Sequence, residues 1–452
     1  MVPANRLLLV LAGLLPLSLL PVLHPSGGAV LTLVVACLGL LVVLDGLLSV
    51  RLLDGIETVE PTLSRLPRLE WGEVSVSFRS ARTYRQLRVG MPLPNGFDAE
   101  ELAPLCTVPK ANATWRVEWR VQARDRGQFV LPAFHLGTFS RLGFWEVRKQ
   151  IPARLEIRVY PNLRAERKAH AALFLPRGGV GSRILRHVGK GREFEKLREY
   201  VPGDAFEDIH WKATARRGIP ITKTYQIERT QEVYVVIDCS RLSAREIARP
   251  RGSSEQETDS APQEEVLERY LSSALMLGVA AEQQGDTFGV VTFGRQVGRY
   301  IPAAGGGNHF GACRETIYNV HSEKGNPDYA GLFTFLRNRL HKRALLLILT
   351  SLDDSVLSEQ FLQGVDLVCR KHLVVVHPLS APGVEPLFHD DDSPRSVHEI
   401  YKSVEGHLTW ERVRMLRQQV VQRGVRWAPL TPGTMTSDLI NQYLDIKERQ
   451  LL

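Results

Sequence analysis

The spacing of hydrophobic and polar residues changes character along the chain. Residues 7–23 form an uncharged apolar run broken only by Gly13, Pro16, Ser18 and Pro21, and residues 29–50 form a second, interrupted near its end by Asp45. Each is about long enough for a helix to cross the ~30 Å hydrocarbon layer of a bilayer, the first barely so. Between them His24, Pro25, Ser26, Gly27 and Gly28 make a short turn without Lys or Arg, whereas Arg6 precedes the first run and Arg51, Arg65 and Arg68 follow the second. Positive charge gathers on the cytoplasmic side of a membrane, so the pattern predicts two transmembrane helices over residues 1–55 as a hairpin, multi-pass, with both termini and the soluble domains cytoplasmic. A cleavable signal peptide over residues 1–28 is the competing reading, because Arg6 and the Leu-rich stretch imitate its charged and apolar regions; no A-x-A cleavage site follows.

Residues 56–165 alternate with period two. Val74, Val76 and Phe78 alternate with Ser75 and Ser77, Trp115, Val117, Trp119 and Val121 with Arg116, Glu118 and Arg120, and Leu155, Ile157 and Val159 with Glu156 and Arg158. Short alternating runs punctuated by Pro and Gly predict antiparallel strands, and their number and spacing suggest an all-β immunoglobulin-like sandwich. Asp125, Arg126, Gly127 and Gln128 mark a turn between two of the strands, and Trp115, Trp119 and Trp145 suit core or edge packing better than a ligand cage.

From residue 230 to 452 the pattern changes again. Val233, Tyr234, Val235, Val236 and Ile237 run without a polar break to Asp238, and similar strands are expected at 287–293, 344–350 and 373–377. Helical spacing fills 264–284, 355–371 and 397–423 between and after them. Continuous apolar strands alternating with amphipathic helices predict a doubly wound α/β parallel sheet, which binds ligands at the carboxyl ends of its strands. Residues 244–263, rich in Arg, Ser, Glu and Gln, read as a flexible insertion.

Composition changes this picture little. The 57 Lys and Arg against 49 Asp and Glu give a formal net charge of +8, mild for a chain of 452 residues, so an anionic membrane face or an acidic partner fits and no nucleic acid is expected. Cys37, Cys106, Cys239, Cys313 and Cys369 contain no C-x-x-C pair, which leaves no zinc or redox framework and suits a reducing compartment. On this topology the sequon at Asn112, Ala113 and Thr114 is chance.

A dense mixed-charge segment at 166–229 joins the β and α/β regions. It contains Gly191, Glu193, Phe194, Leu197, Arg198, Tyr200, Gly203 and Asp204, then Ile209, Trp211, Lys212, Ala215 and Arg216. This order resembles the bacterial family called domain of unknown function 58, whose hallmark is G-x-E-F-x-x-L-R-x-Y-x-x-G-D followed by I-x-W-K-x-x-A-R. The departures are Glu207 and His210, where the family pattern has Arg and Asp. The two spans, the β region ending at Val159, Tyr160 and Pro161, and the C-terminal domain also follow the family's order. The resemblance implies an inner-membrane protein working with a MoxR-type AAA+ ATPase and its client proteins in chaperone-like assembly or envelope maintenance. The residues themselves point to partner binding by Glu193, Arg198, Tyr200, Gly203, Asp204, Trp211, Lys212 and Arg216, because a mixed-charge patch around an aromatic anchor suits recognition. Alternation of Ile209 and Trp211 with His210 and Lys212 predicts an extended arm, which the charges of Arg198, Glu199, Asp204, Lys212, Arg216 and Arg217 would clamp to the next domain if they pair among themselves.

Asp238, Cys239 and Ser240, ending the first strand of the α/β region, resemble the start of the D-x-S-x-S adhesion site of von Willebrand factor type A domains, where oxygen ligands hold magnesium. The motif is degenerate: Leu242 stands at the second Ser with Ser243 displaced, and Ser351 stands where a strand-end Asp is usual, leaving Asp353 or Asp354 as substitutes. Asp238 and Ser240 are thus candidate magnesium ligands, against a vestigial site in which Asp238 caps a helix or accepts backbone hydrogen bonds. No P-loop, H-E-x-x-H or G-x-S-x-G occurs, and Gly305, Gly306 and Gly307 read as a plain turn. The expectation is a membrane-anchored, non-catalytic protein-binding adaptor or scaffold with no required cofactor. Its rivals are an envelope hydrolase or transferase using His210 or Cys239, and an outward-facing metal-dependent adhesion protein.

Overall fold

The computed structural model describes residues 1–17, 27–59, 63–108, 110–169, 193–202, 204–226, 231–248, 263–379, 384, 386–387 and 397–449. They form two compact units, Met1–Asn162 and Leu163–Leu452.

In the first unit the apolar runs become helices Asn5–Leu17 and Gly27–Ser49. The stretch Gly28–Ser49 is long and apolar enough to cross a membrane, while Asn5–Pro16 is apolar but shorter. Residues 18–26, which hold the end of the first expected span, lie outside the described residues. Period-two alternation gives the expected strands: Trp71–Ser80 buries Val74, Val76 and Phe78, and Thr114–Ala123 buries Val117, Trp119 and Val121. These two strands lie at the centre of a four-stranded sheet, flanked by Ile56–Val59 and Phe97–Ala99. A six-stranded sheet is built on Trp145–Tyr160, Gly127–Phe139 and Tyr84–Gly90. The sheets share one core, in which Trp119 stacks on Phe134 at 5.6 Å and Phe78 meets the same ring edge-on at 5.3 Å. Leu63–Pro67 departs from the antiparallel expectation by running parallel to Trp145–Tyr160. Of the three tryptophans, Trp119 is buried in the core, Trp115 stacks on Phe78, and Trp145 opens a long strand.

One loop ties both helices to this β unit. Val2 and Pro3 pair with Glu146 and Trp145, and the Ala4 amide donates to the Phe144 carbonyl. At the end of the second helix, buried Asp45 accepts from the Ser140 hydroxyl (2.5 Å) and the Leu142 amide (3.1 Å), while the Trp145 indole donates to the Val42 carbonyl (2.9 Å). The start of one apolar helix and the end of the other therefore meet at residues 140–146.

In the second unit the parallel strands Thr287–Phe293, Glu232–Asp238, Ala344–Thr350, Leu373–Pro378 and Arg426–Trp427 follow one another across a sheet, closed at one edge by antiparallel Val297–Ala304. Both faces are buried, which is why these strands show no polar alternation. Val233, Val235 and Ile237 face helices Val266–Gln283 and Met435–Glu448, and Tyr234 and Val236 face Tyr329–Arg339 and Ser355–Cys369. Doubly wound α/β is therefore the observed class. Helices Gly307–Ile317, Tyr329–Arg339 and Met435–Glu448 were not expected from the sequence. Gly306, at φ 97°, opens the first of them, so the glycine run is a helix entry. The expected flexible insertion at 244–263 is corrected at its ends, where Glu246–Ala248 pairs with Gln263–Glu265; residues 249–262 lie outside the described residues.

Candidate functional site

The carboxyl end of the sheet and the signature segment hold the candidate residues. Asp238 ends the central strand, fully buried, with both oxygens engaged: Oδ1 accepts from the Ser240 amide at 2.8 Å and Oδ2 from the Thr350 hydroxyl at 2.6 Å. Thr350 in turn hydrogen-bonds the Tyr329 hydroxyl at 2.8 Å, so a neighbouring strand and a helix on one face close the network. Burial pushes the Asp238 carboxyl above its usual range, outweighing the hydroxyl and amide donors and the nearby Arg245 charge. Ser240, also buried, turns its hydroxyl to the Leu242 amide at 3.3 Å, and the displaced Ser243 donates to the Ser240 carbonyl at 2.8 Å.

Two arginines after this strand, absent from the sequence expectations, organise the rim. Arg245 pairs with Asp353 and approaches the Ser351 hydroxyl at 3.5 Å, and Ser351 itself donates to Asp353 at 2.9 Å. Arg241 bonds Asn326 and pairs with Asp354 at 3.1 Å, while Asp354 caps helix Ser355–Cys369 by accepting from Val356 and Leu357. Asp353 thus neutralises an arginine, and Asp354 both pairs with one and caps a helix. A divalent cation needs several oxygens converging with lone pairs free. Here the Asp238 oxygens accept protein donors, Leu242 occupies a ligand position, and a guanidinium lies at the rim. As arranged, with both Asp238 oxygens bonded to protein donors, these residues do not fit a magnesium site. The only clue in the sequence was Asp353 and Asp354 directly before a helical pattern, which signals a cap.

The signature segment folds as strands Glu193–Glu199 and Ile221–Gln226, antiparallel, with a turn and a short helix between them. The Glu193 side chain and Gly203 lie outside what is described. Asp204 closes the turn: its Oδ2 accepts from the Val201 amide at 3.0 Å and its Oδ1 pairs with Arg198 at 2.5 Å. The Val201 amide, assisted by the Arg198 guanidinium and opposed by desolvation, holds the Asp204 carboxyl below its usual range. The expected extended arm at 209–212 is corrected. His210 Nδ1 accepts from the Ala213 amide at 3.0 Å, capping helix Trp211–Arg217, which ends at Gly218 with φ 73°. Ile209 is buried, as expected, because it bridges to Thr222, but helix formation turns Trp211 outward to 67% exposure. Phe206 is 74% exposed, and Leu197, Val201 and Ile219 are exposed as well. Tyr200 lies 6.2 Å from the Phe206 ring. Lys212, Arg216 and Arg217 are solvent-facing, and among the described residues Arg198 and Asp204 form the ion pair within this segment, so the expected clamping network reduces to that pair.

Of the residues proposed for chemistry, His210 spends Nδ1 on its cap, and Cys239 is buried with its thiol toward the Ile237 carbonyl at 3.7 Å. No disulfide forms.

These features define a class: a β unit carrying an apolar helix of membrane-spanning length, and a doubly wound α/β domain whose central strand ends in Asp238, Cys239 and Ser240, as type A domains do. Residues 196–382 match the family described as "Protein of unknown function DUF58", the family that the signature segment resembles. No curated protein matches the chain. Solved structures similar to it include the SpRpn10 VWA domain, at 9% identity over 47% of this chain and 95% of that one, with a TM-score of 0.28. The conserved hypothetical protein BatB from Bacteroides thetaiotaomicron is 14% identical over 48% of this chain and 99% of its own, with a TM-score of 0.30. An aerotolerance-related membrane protein from Bacteroides fragilis NCTC 9343 is 13% identical over 48% and 98%, with a TM-score of 0.25.

Proposed function

We propose that the protein is a membrane-anchored, non-catalytic adaptor that binds a MoxR-type AAA+ ATPase or its client through the signature hairpin. The observation that carries this reading is the exposure of Phe206 and Trp211 beside Lys212, Arg216 and Arg217 on a small hairpin. Large aromatics left in water next to cations are a composition enriched at protein interfaces. The closed rim supports the same reading, since Asp238, Ser240 and Cys239 offer neither free metal ligands nor an accessible nucleophile.

The membrane arrangement is part of the proposal. Leu9 and Leu15 on the first helix and Leu33, Leu40 and Leu47 on the second are exposed, and a bilayer would cover them. Because the start of the first helix and the end of the second share one loop, we read the pair as a hairpin, with Arg6 and Arg51 on the cytoplasmic side of an inner membrane and the β unit as an immunoglobulin-like sandwich above it.

The deciding experiment measures binding between the full-length protein in neutral detergent and the MoxR-type ATPase of the same genome. Micromolar or tighter binding that falls at least tenfold in Trp211→Ala and Phe206→Ala is expected. Absence of binding, or binding indifferent to both substitutions, would sink the adaptor reading. Carbonate extraction of native membranes tests the anchor separately, and release of the protein into the supernatant would refute it.

A further inference from the structure

A cavity of about 440 Å³ opens in the first unit where the first apolar helix meets the β sheet. Its size falls in the ~300–1,000 Å³ range of small-ligand sites. Three solvent-exposed arginines line it from three elements. Arg6 lies in the first turn of helix Asn5–Leu17, Arg88 on strand Tyr84–Gly90, and Arg141 in the loop held against the second helix through Asp45. Gly143, at φ 79°, makes room for one of them: a Cβ there would lie 3.2 Å from Arg6 Nη1. Among the described residues none of the three arginines forms an ion pair. The carboxylate in the lining, Glu146, is taken by Arg148 at 2.8 Å. Three unpaired cations facing one cavity repel each other, and the arrangement is relieved by an anion with several acceptor oxygens, which guanidinium forks bind in bidentate fashion.

Position narrows the anion. Leu8 and Leu9, directly after Arg6, are exposed, and the end of the second apolar helix docks on the loop that carries Arg141. The cavity thus sits where exposed apolar surface gives way to polar surface, the level at which a phospholipid presents its phosphate. We infer that the Arg6, Arg88 and Arg141 cavity binds the phosphate of an anionic phospholipid headgroup, fixing the β unit against the cytoplasmic leaflet. The inference rests on the reading that the apolar helices enter a bilayer.

The test uses full-length protein in neutral detergent, with thermal unfolding followed after addition of phosphatidylglycerol, phosphatidylcholine or inorganic phosphate at equal phosphate concentration. Phosphatidylglycerol is expected to raise Tm by at least ~2 °C, as a ligand of the folded state does, with no comparable rise from phosphatidylcholine. The triple substitution Arg6→Gln, Arg88→Gln and Arg141→Gln removes the rise, whereas Arg116→Gln, at an exposed position of the other sheet, keeps it. If the triple variant does not fold, each single variant is expected to require severalfold more lipid for the same rise. An equal rise with phosphatidylcholine, an undiminished rise in the variants, or no rise in the native protein overturns the inference. A rise matched by inorganic phosphate reassigns the site to a free anion and overturns the lipid. Carbonate extraction reads the membrane anchor independently, so a protein that stays in the membrane without headgroup preference refutes this site alone.

Discussion

At the end of strand Glu232–Asp238 the polar groups turn inward, whereas at the tip of the signature hairpin the apolar groups turn outward. Asp238, Ser240, Thr350 and Tyr329 are buried and bonded to one another or to backbone amides, and the charges above them, Arg241, Arg245, Asp353 and Asp354, pair off. On the hairpin, Phe206 and Trp211 stand in solvent, and Lys212, Arg216 and Arg217 have no ion-pair partner among the described residues. The rim sits where α/β sheets bind ligands, yet its bonding potential is spent on stability. The hairpin follows no such rule of position and keeps its apolar area unspent. If the proposed hairpin binding holds, a site is better located by unsatisfied surface than by topological precedent.

The largest expected effect tests the closed side. Asp238→Ala strands the Ser240 amide and the Thr350 hydroxyl in a buried setting, at about 1–3 kcal/mol for each lost partner. A stability loss of about 2–5 kcal/mol is expected by thermal or urea unfolding, with Asp238→Asn recovering most of it, since an amide retains an acceptor. Addition of magnesium or a chelator is expected to leave Tm unchanged in the native protein. A Tm that rises with magnesium and loses the rise in Asp238→Ala would break the comparison by turning the rim into a binding site.

Acid sensitivity is next in size and belongs to the same side. His377 lies fully buried on strand Leu373–Pro378, with Nδ1 3.0 Å from the Ala428 carbonyl, and burial lowers its pKa from the usual 6.5 to about 4. Between those values the unfolded chain binds a proton that the folded chain refuses. Stability is therefore complete above pH ~6.5 and falls as the pH drops toward 4, at up to ~1.4 kcal/mol per pH unit for this group. His377→Gln keeps a donor for Ala428 but cannot titrate, so its unfolding free energy is expected to depend less on pH across that window, by about 2–3 kcal/mol in all. An unchanged pH slope would show that the sheet core does not hold the ring neutral.

What the sequence made legible follows the range of the interactions. The strand over Val233, Val235 and Ile237, the alternation of Val74, Val76 and Phe78, and the Asp238 strand end are local patterns that survive in any one sequence. The rim is not local: Arg245 and Asp353 are 108 residues apart, and no periodicity announces a pair joined across two strand ends. Helix Tyr329–Arg339 had a signal that was missed, since Tyr329, Leu332, Phe333 and Leu336 repeat at helical spacing and all are buried. At 209–212 four residues were too few to separate a strand from a cap, and the His210 bond to Ala213 decided for the helix.

The smallest effect sharpens the open side, because there the absence of a stability cost is itself the expectation. If Trp211 and Phe206 contribute nothing to folding, Trp211→Ala and Phe206→Ala are expected to change unfolding free energy by no more than about 0.5 kcal/mol, the usual range for surface substitutions. Ile209, two positions before Trp211 but buried, supplies the contrast: Ile209→Ala is expected to cost about 2 kcal/mol or more through lost packing. Thermal unfolding of the three variants in neutral detergent makes the measurement. A cost for Trp211→Ala that approached that of Ile209→Ala would mean that the indole is packed in the folded chain. The hairpin would then be as self-satisfied as the rim, and partner binding would lose the surface on which it depends.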